Sequence, residues 1–351
     1  MFKTAELYSP DLGIAGALRR NRLLLSLVAI NILCGIAVSV HLGTSFWGKT
    51  TPLVLHISEK LSYFMIASFF MWRLGVAMLV VKPEKPIHWM LKDVRDILTD
   101  KVRVPDAVIS YFCIIAMAVT YSFLKNEIHT LNPNLWDNAF AQWDRAIHGG
   151  KDAWQLLWPV LGFPLVTSAI NAAYHGWFLL NYAAVCLACL DRSDPTRSTV
   201  FLVAFVLCWF VGGNVIATYL SSVGPVYFEP FGFGDTYLPQ MDLLRETHLT
   251  SPVWALEVQQ GLLDAYFTEN GFRGISAMPS MHVASSVVIA IYGFTYYRWL
   301  GWALTAFAGV ILLGSVHLAW HYAIDGYVSI VLALIFWWVA KKLTARFGPG
   351  T

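Results

Sequence analysis

Charge is scarce in this sequence. Only 13% of its 351 residues are Asp, Glu, Lys or Arg, roughly half the share in ordinary soluble domains. The 24 Lys and Arg nearly balance the 22 Asp and Glu, leaving a formal net charge of +2. The chain therefore has no broad basic face for nucleic acid and no acidic tail for basic partners. Cysteine is scarce too. The five copies, Cys34, Cys113, Cys186, Cys189 and Cys208, all lie inside apolar runs, which argues against a disulfide framework. Cys186 and Cys189 form a C-x-x-C with no strand pattern and no further cysteine nearby, so they read as packing rather than as a metal or redox pair. There is no internal repeat and no low-complexity tract.

Apolar surface, by contrast, is abundant: 57% of the residues are hydrophobic and the mean hydropathy is +0.57. Such a composition excludes an ordinary soluble globular protein. A membrane span needs about 20 mostly apolar residues, and runs of that kind occur at 23–40, 61–81, 107–124, 166–190, 199–220, 283–298, 301–319 and 323–340. The expected fold is an all-α polytopic membrane helical bundle with about eight transmembrane helices. The stretch 302–340 as a single helix would be about 58 Å long, so it must fold back once, and its least apolar point, WHYAID at 320–325, is the natural turn.

Alternating the loops between two sides places sixteen of the 24 Lys and Arg on the side that holds both termini and the basic 82–106 loop. The other side has Lys49, Lys60, Lys125, Arg145, Lys151, Arg245 and Arg273. By the positive-inside rule both termini are cytoplasmic. The run 23–40 is long for the apolar part of a signal peptide and reads as a span. Arg73, inside the second span, is expected to snorkel toward the basic loop. Tryptophans 47, 136, 143, 154, 158 and 320 fit an interfacial belt, and Tyr174 and His175 read as polar tips at the outer end of the fourth span. Segment 153–165, interrupted by Pro159 and Pro164, reads as interfacial or re-entrant rather than as a ninth span. The aromatic, Pro- and Gly-rich loop 221–281 is expected to fold over the outer surface.

Ionisable side chains at membrane depth are costly and point to function. His282, His317, His321 and Asp325 cluster in the last third of the chain. His282 follows Pro279, which can occupy the first turn of a helix, and a helix N-terminus offers free N–H groups and a favourable dipole to a phosphate. One span inward and one outward separate His282 from His321, so the two histidines meet at the same membrane face, which the Lys/Arg count places outside the cytoplasm. Asp325, one helical turn beyond His321, can accept its Nδ1–H and leave Nε2 as a lone pair, the arrangement of a nucleophile or base, with a second histidine opposite as general acid.

Pro279-Ser280-Met281-His282 resembles the P-S-G-H motif of the type 2 phosphatidic acid phosphatase superfamily. His321-Tyr322-Ala323-Ile324-Asp325 resembles the H-x-x-x-D end of its last motif. The resemblance covers about 107–340 and implies a six-helix core over those residues, preceded by a 1–106 region with two additional spans and followed by a 341–351 tail. It further implies that His321 attacks phosphorus, that His282 protonates the leaving oxygen, that Asp325 holds His321, and that neither metal nor another cofactor is used.

The departures from the family pattern matter as well. The K-x6-R-P of the long outer loop is missing, and Gly314 and Ser315 stand where the phosphatases carry S-R. A phosphomonoester dianion would find few fixed cations here, whereas a phosphodiester needs less. The extended string G-I-S-A-M-P-S-M-H, 274–282, is closest to the inositol phosphorylceramide synthase-like branch, in which a phospho-headgroup passes from one membrane lipid to another. A lipid phosphate phosphatase is the alternative, favoured if Arg273, Arg245 or Lys125 gather at the phosphate. A non-enzymatic lipid transporter or scaffold is the third reading. Ser280 either touches phosphate or caps the helix. Arg273 is a candidate replacement clamp, and His317 a candidate support of the substrate site; its H-x-x-x-H spacing with His321 lacks the general-base Glu of a metal site.

Overall fold

In the computed structural model, residues 13–48, 50–268 and 271–349 are described; Lys3 and Lys49, counted above, lie outside them. No strand occurs among the described residues. The helices in chain order are α1 (Gly13–Arg20), α2 (Arg22–Leu42), α3 (Thr50–Val81, its last turn a π-helix), α4 (Pro86–Leu98), α5 (Arg103–Asn126), α6 (Ile128–Leu131), α7 (Asp137–Ile147), α8 (Ala153–Leu161), α9 (Pro164–Leu190), α10 (Pro195–Tyr219), α11 (Leu238–Thr250), α12 (Ala255–Thr268), α13 (Met281–Phe294), α14 (Arg298–His317) and α15 (Ala323–Phe347).

Seven of these are long and apolar enough to cross a membrane: α2, α3, α5, α9, α10, α14 and α15. The eighth expected span is shorter than its apolar run suggests. Helix α13 has 14 residues, about 21 Å at 1.5 Å per residue, against a hydrocarbon core of about 30 Å. Ser280 caps its start. At its other end Thr295 and Tyr296 turn back, and the Tyr296 hydroxyl donates to Asp191 at 2.6 Å.

Because lipid tails are as apolar as leucine, helices in a membrane associate through close packing and hydrogen bonds. The largest core cluster joins Leu24 of α2, Met117 of α5, Val185 of α9, Val203 of α10, Val288 of α13 and Phe336 of α15. Thus α2, a span outside the expected six-helix core, packs into the bundle interior. By contrast only 6% of the apolar window of α3 is buried. A hydroxyl cluster attaches it: Ser62 Oγ lies 2.7 Å from the Tyr111 hydroxyl and 2.8 Å from that of Tyr182. Arg73 reaches along α3 to α4, pairing with Asp93 at 2.6 Å beneath the ring of Trp89. At the same end, Asp106 binds Arg20 and Arg192, which ties α1 and the α9–α10 turn to α5.

Helix α10 widens into a π-helix over Cys208–Ile216, a feature common at functional sites. There Gly213 lets α10 approach both α5 and α13: a Cβ on it would lie 2.7 Å from the Tyr121 ring and 2.9 Å from Met281 Sδ. Gly213→Val should therefore push α10 away from α5 and α13 and cost about 1–3 kcal/mol of stability. Thermal unfolding of the detergent-solubilised variant checks this; an unchanged midpoint would remove Gly213 from the packing account.

Candidate active site

Ser280, fully buried, accepts the Val283 N–H as N-cap of α13. Pro279 precedes the cap rather than entering the first turn, because Ser280 supplies the extended conformation that a cap requires. His282 follows in the first turn, and its carbonyl accepts from Ser286 Oγ at 2.7 Å.

The facing histidine comes from the turn between α14 and α15. Helix α14 stops at His317, and Ala319, at φ +62°, reverses the chain. His321 N–H donates to the Ser315 carbonyl at 3.1 Å. Its Nδ1 lies 3.2 Å from Asp325 Oδ2, the oxygen that also accepts the Tyr322 N–H at 3.1 Å. A carboxylate can only accept, so it fixes the proton on Nδ1 and leaves Nε2 as the basic nitrogen. Burial pushes the His321 pKa down to about 3, the Lys125 charge acting in the same direction and the Ala277 carbonyl against it; the imidazole is therefore neutral. The His282 and His321 rings face each other with centroids 6.2 Å apart and planes at 63°.

Two carboxylates of α7, seven residues apart and so on one helical face, hold this turn. Asp137 accepts the backbone N–H groups of Val223 and Gly224 and, at 2.8 Å, the Tyr322 hydroxyl. Burial raises its pKa, and those three donors pull it back. Asp144 accepts the Ile324 N–H at 2.9 Å. Loop 221–281 packs over the turn. Gln240 donates to the carbonyls of Val316 and His317, Gln259 to that of Leu318, and the Val226 N–H to that of Ala319. Gly224, at φ +88°, approaches so closely that a Cβ would sit 2.7 Å from the Trp320 carbonyl oxygen.

Aromatic rings close the sides. Tyr174 stacks on His282 at 4.4 Å and Trp177 lies 4.0 Å away, its Nε1 donating to Ser285. Trp320 is parallel to Tyr174. The interfacial reading of Tyr174 is thereby corrected: its side chain is 5% exposed, while His175, the next residue, faces outward. Trp154 and Trp320 likewise turn inward, whereas Trp47, Trp136 and Trp143 remain exposed.

The remaining expected residues have other partners. His317 is fully buried, bound through Nε2 to Thr167 at 2.9 Å and stacked on Trp158, and no ring contact joins it to His282 or His321 among the described residues. Arg273 pairs with Glu127 at 3.6 Å and its N–H donates to Asn126. Arg245 pairs with Asp242 on the surface. Lys125 has no carboxylate or hydrogen-bond partner among the described residues, and its charge acts on both His282 and His321. No group of three His, Cys, Asp or Glu there could hold a metal ion.

A family model described as the PAP2 superfamily matches residues 138–339, more than half of the chain, beginning downstream of α5. No curated protein and no solved structure matches.

Asp137→Asn replaces one acceptor oxygen by a donor facing the Val223 and Gly224 N–H groups. It should cost about 1–3 kcal/mol and loosen the loop over the turn, read as a lower unfolding midpoint with faster proteolysis within 221–281. Wild-type values for both would show that this carboxylate does not hold the loop.

Proposed function

The chain belongs to the PAP2 superfamily, and from that premise we propose that it transfers a phospho-headgroup between membrane lipids through a phosphohistidine at His321. The observation that carries the reading is a neutral imidazole, oriented by Asp325 at 3.2 Å, facing a second imidazole beneath a hydrogen-bonded cover. Its chemistry requires no metal ion. His321 Nε2 attacks phosphorus, and the bond from phosphorus to the donor lipid oxygen breaks as His282 gives that oxygen its proton. The freed alcohol leaves. An acceptor lipid hydroxyl then gives its proton to His282 and attacks phosphorus, and the P–N bond returns its electron pair to Nε2. The open N–H groups at the start of α13 face the developing charge.

Exchange rather than hydrolysis is supported by two features. The cover ties itself to the nucleophile turn through Gln240, Gln259 and Val226, which keeps water from competing with a lipid hydroxyl. Of the three cations whose gathering would favour a phosphatase, Arg273 and Arg245 are paired with carboxylates, so Lys125 alone is left to meet a phosphate and no cluster forms. We assign the histidine end to the extracytoplasmic or lumenal side on the Lys/Arg distribution, with 107–340 as the catalytic core. The activity proposed is inositol phosphorylceramide synthase-like transfer.

The test uses purified protein in detergent with EDTA, a fluorescent ceramide or diacylglycerol acceptor, and a phospholipid mixture, alongside phosphatidate alone. A new charged lipid should form in wild type and fall at least about 10³-fold in His321→Ala and His282→Ala. Free phosphate from phosphatidate without exchange would establish the phosphatase instead. No His321-dependent product would leave lipid binding as the function.

A further inference from the structure

Lys125 ends the membrane-spanning part of α5, one helical turn beyond Tyr121. Its ammonium lies 5.8 Å from the centre of the Tyr121 ring, and that ring meets Gly213 beside Met281, the neighbour of His282. The Tyr121 ring also abuts Trp209 at 4.7 Å, Trp209 abuts Trp177, and Trp177 packs on His282. The lysine is thus fixed on the same aromatic wall that holds the histidine. Glu127, two residues further on, is occupied by Arg273. Among the described residues no carboxylate or hydrogen-bond acceptor meets the ammonium, and its charge is felt at both imidazoles.

A half-buried ammonium without a counter-ion is unfavourable, and an anion bound beside the histidines, within reach of its charge, would compensate it. Resting on the transferase reading above, we propose that Lys125 is the cation that binds the transferred phosphate and that, as a single charge, it fits the site to a singly charged phosphodiester rather than to a phosphomonoester dianion. It takes over from α5 the task for which the Lys and Arg of the missing clamps would otherwise serve. The Tyr174 hydroxyl, buried and without a hydrogen-bond partner among the described residues, adds a neutral donor on the ring stacked against His282. One cation and neutral donors balance one negative charge and leave a second uncompensated.

The experiment compares wild type, Lys125→Met, Lys125→Arg and, as control, the exposed Lys151→Met. Probes are dioctanoyl phosphatidylglycerol, a singly charged diester, and dioctanoyl phosphatidate. Binding is measured by thermophoresis in the His321→Ala background, where nothing turns over, and kcat and KM in the active background. Wild type should bind the diester more tightly than phosphatidate. Lys125→Met should weaken diester binding and lower kcat/KM by about tenfold to a hundredfold, Lys125→Arg should recover most of the loss, and Lys151→Met should change neither. Lys125→Gln stands in if the methionine variant fails to fold. Unchanged diester binding in Lys125→Met, or tighter wild-type binding of phosphatidate, would overturn the proposal. Absence of His321-dependent turnover in wild type would count against the transferase reading alone, because the binding arm still decides the role of Lys125.

Discussion

The histidine end of this bundle depends on satisfying the backbone of one short turn. Residues 318–322 join two membrane-spanning helices, and their N–H and C=O groups are buried where water cannot serve them. The chain supplies partners from three directions. Ser315 and Asp325 take the N–H groups of His321 and Tyr322, Asp144 of α7 takes that of Ile324, and Gln240, Gln259 and Val226 of the covering loop donate to the carbonyls from Val316 to Ala319. Each of these partners also restricts where the His321 ring can be. Precision at the His321 ring is thus a by-product of backbone satisfaction.

The same bonds shut the site. A cover that donates four hydrogen bonds to the turn it protects cannot lift without leaving those carbonyls unpaired, each at a cost of about 1–3 kcal/mol. On the proposed function, lipids would reach such a site sideways, between helices. That route suits a reaction whose donor, leaving alcohol and acceptor are all lipids, and it is the physical difference between exchange and hydrolysis in this account.

The helical membrane fold was legible from hydropathy, and the meeting of His282, His321 and Asp325 from parity and spacing, because spans and helical turns are short-range regularities. The length of α13 was not, since Tyr296 leaves the helix to reach Asp191, a residue of another turn. Asp137 and Asp144 escaped notice because an Asp in a polar loop carries no signal of its own. Their spacing of seven residues, which puts two carboxylates on one face of a short helix, was the available hint. Tyr174 looked like an ordinary interfacial aromatic, and only the packing of α9 against α13 turns it and Trp177 onto His282. The pairing of Arg273 with Glu127 depends on the path of the covering loop, which hydrophobic pattern does not encode.

The most direct test of the account is the mass of the adduct on His321. Protein mixed with donor phospholipid in EDTA and quenched under alkaline conditions, which preserve phosphohistidine, is digested and analysed by mass spectrometry. The account predicts His321 carrying phosphate still esterified to the donor headgroup, with no such adduct in His321→Ala. A bare phosphoryl group on His321 would contradict transfer of the headgroup, and an adduct on another residue would contradict His321 as the nucleophile.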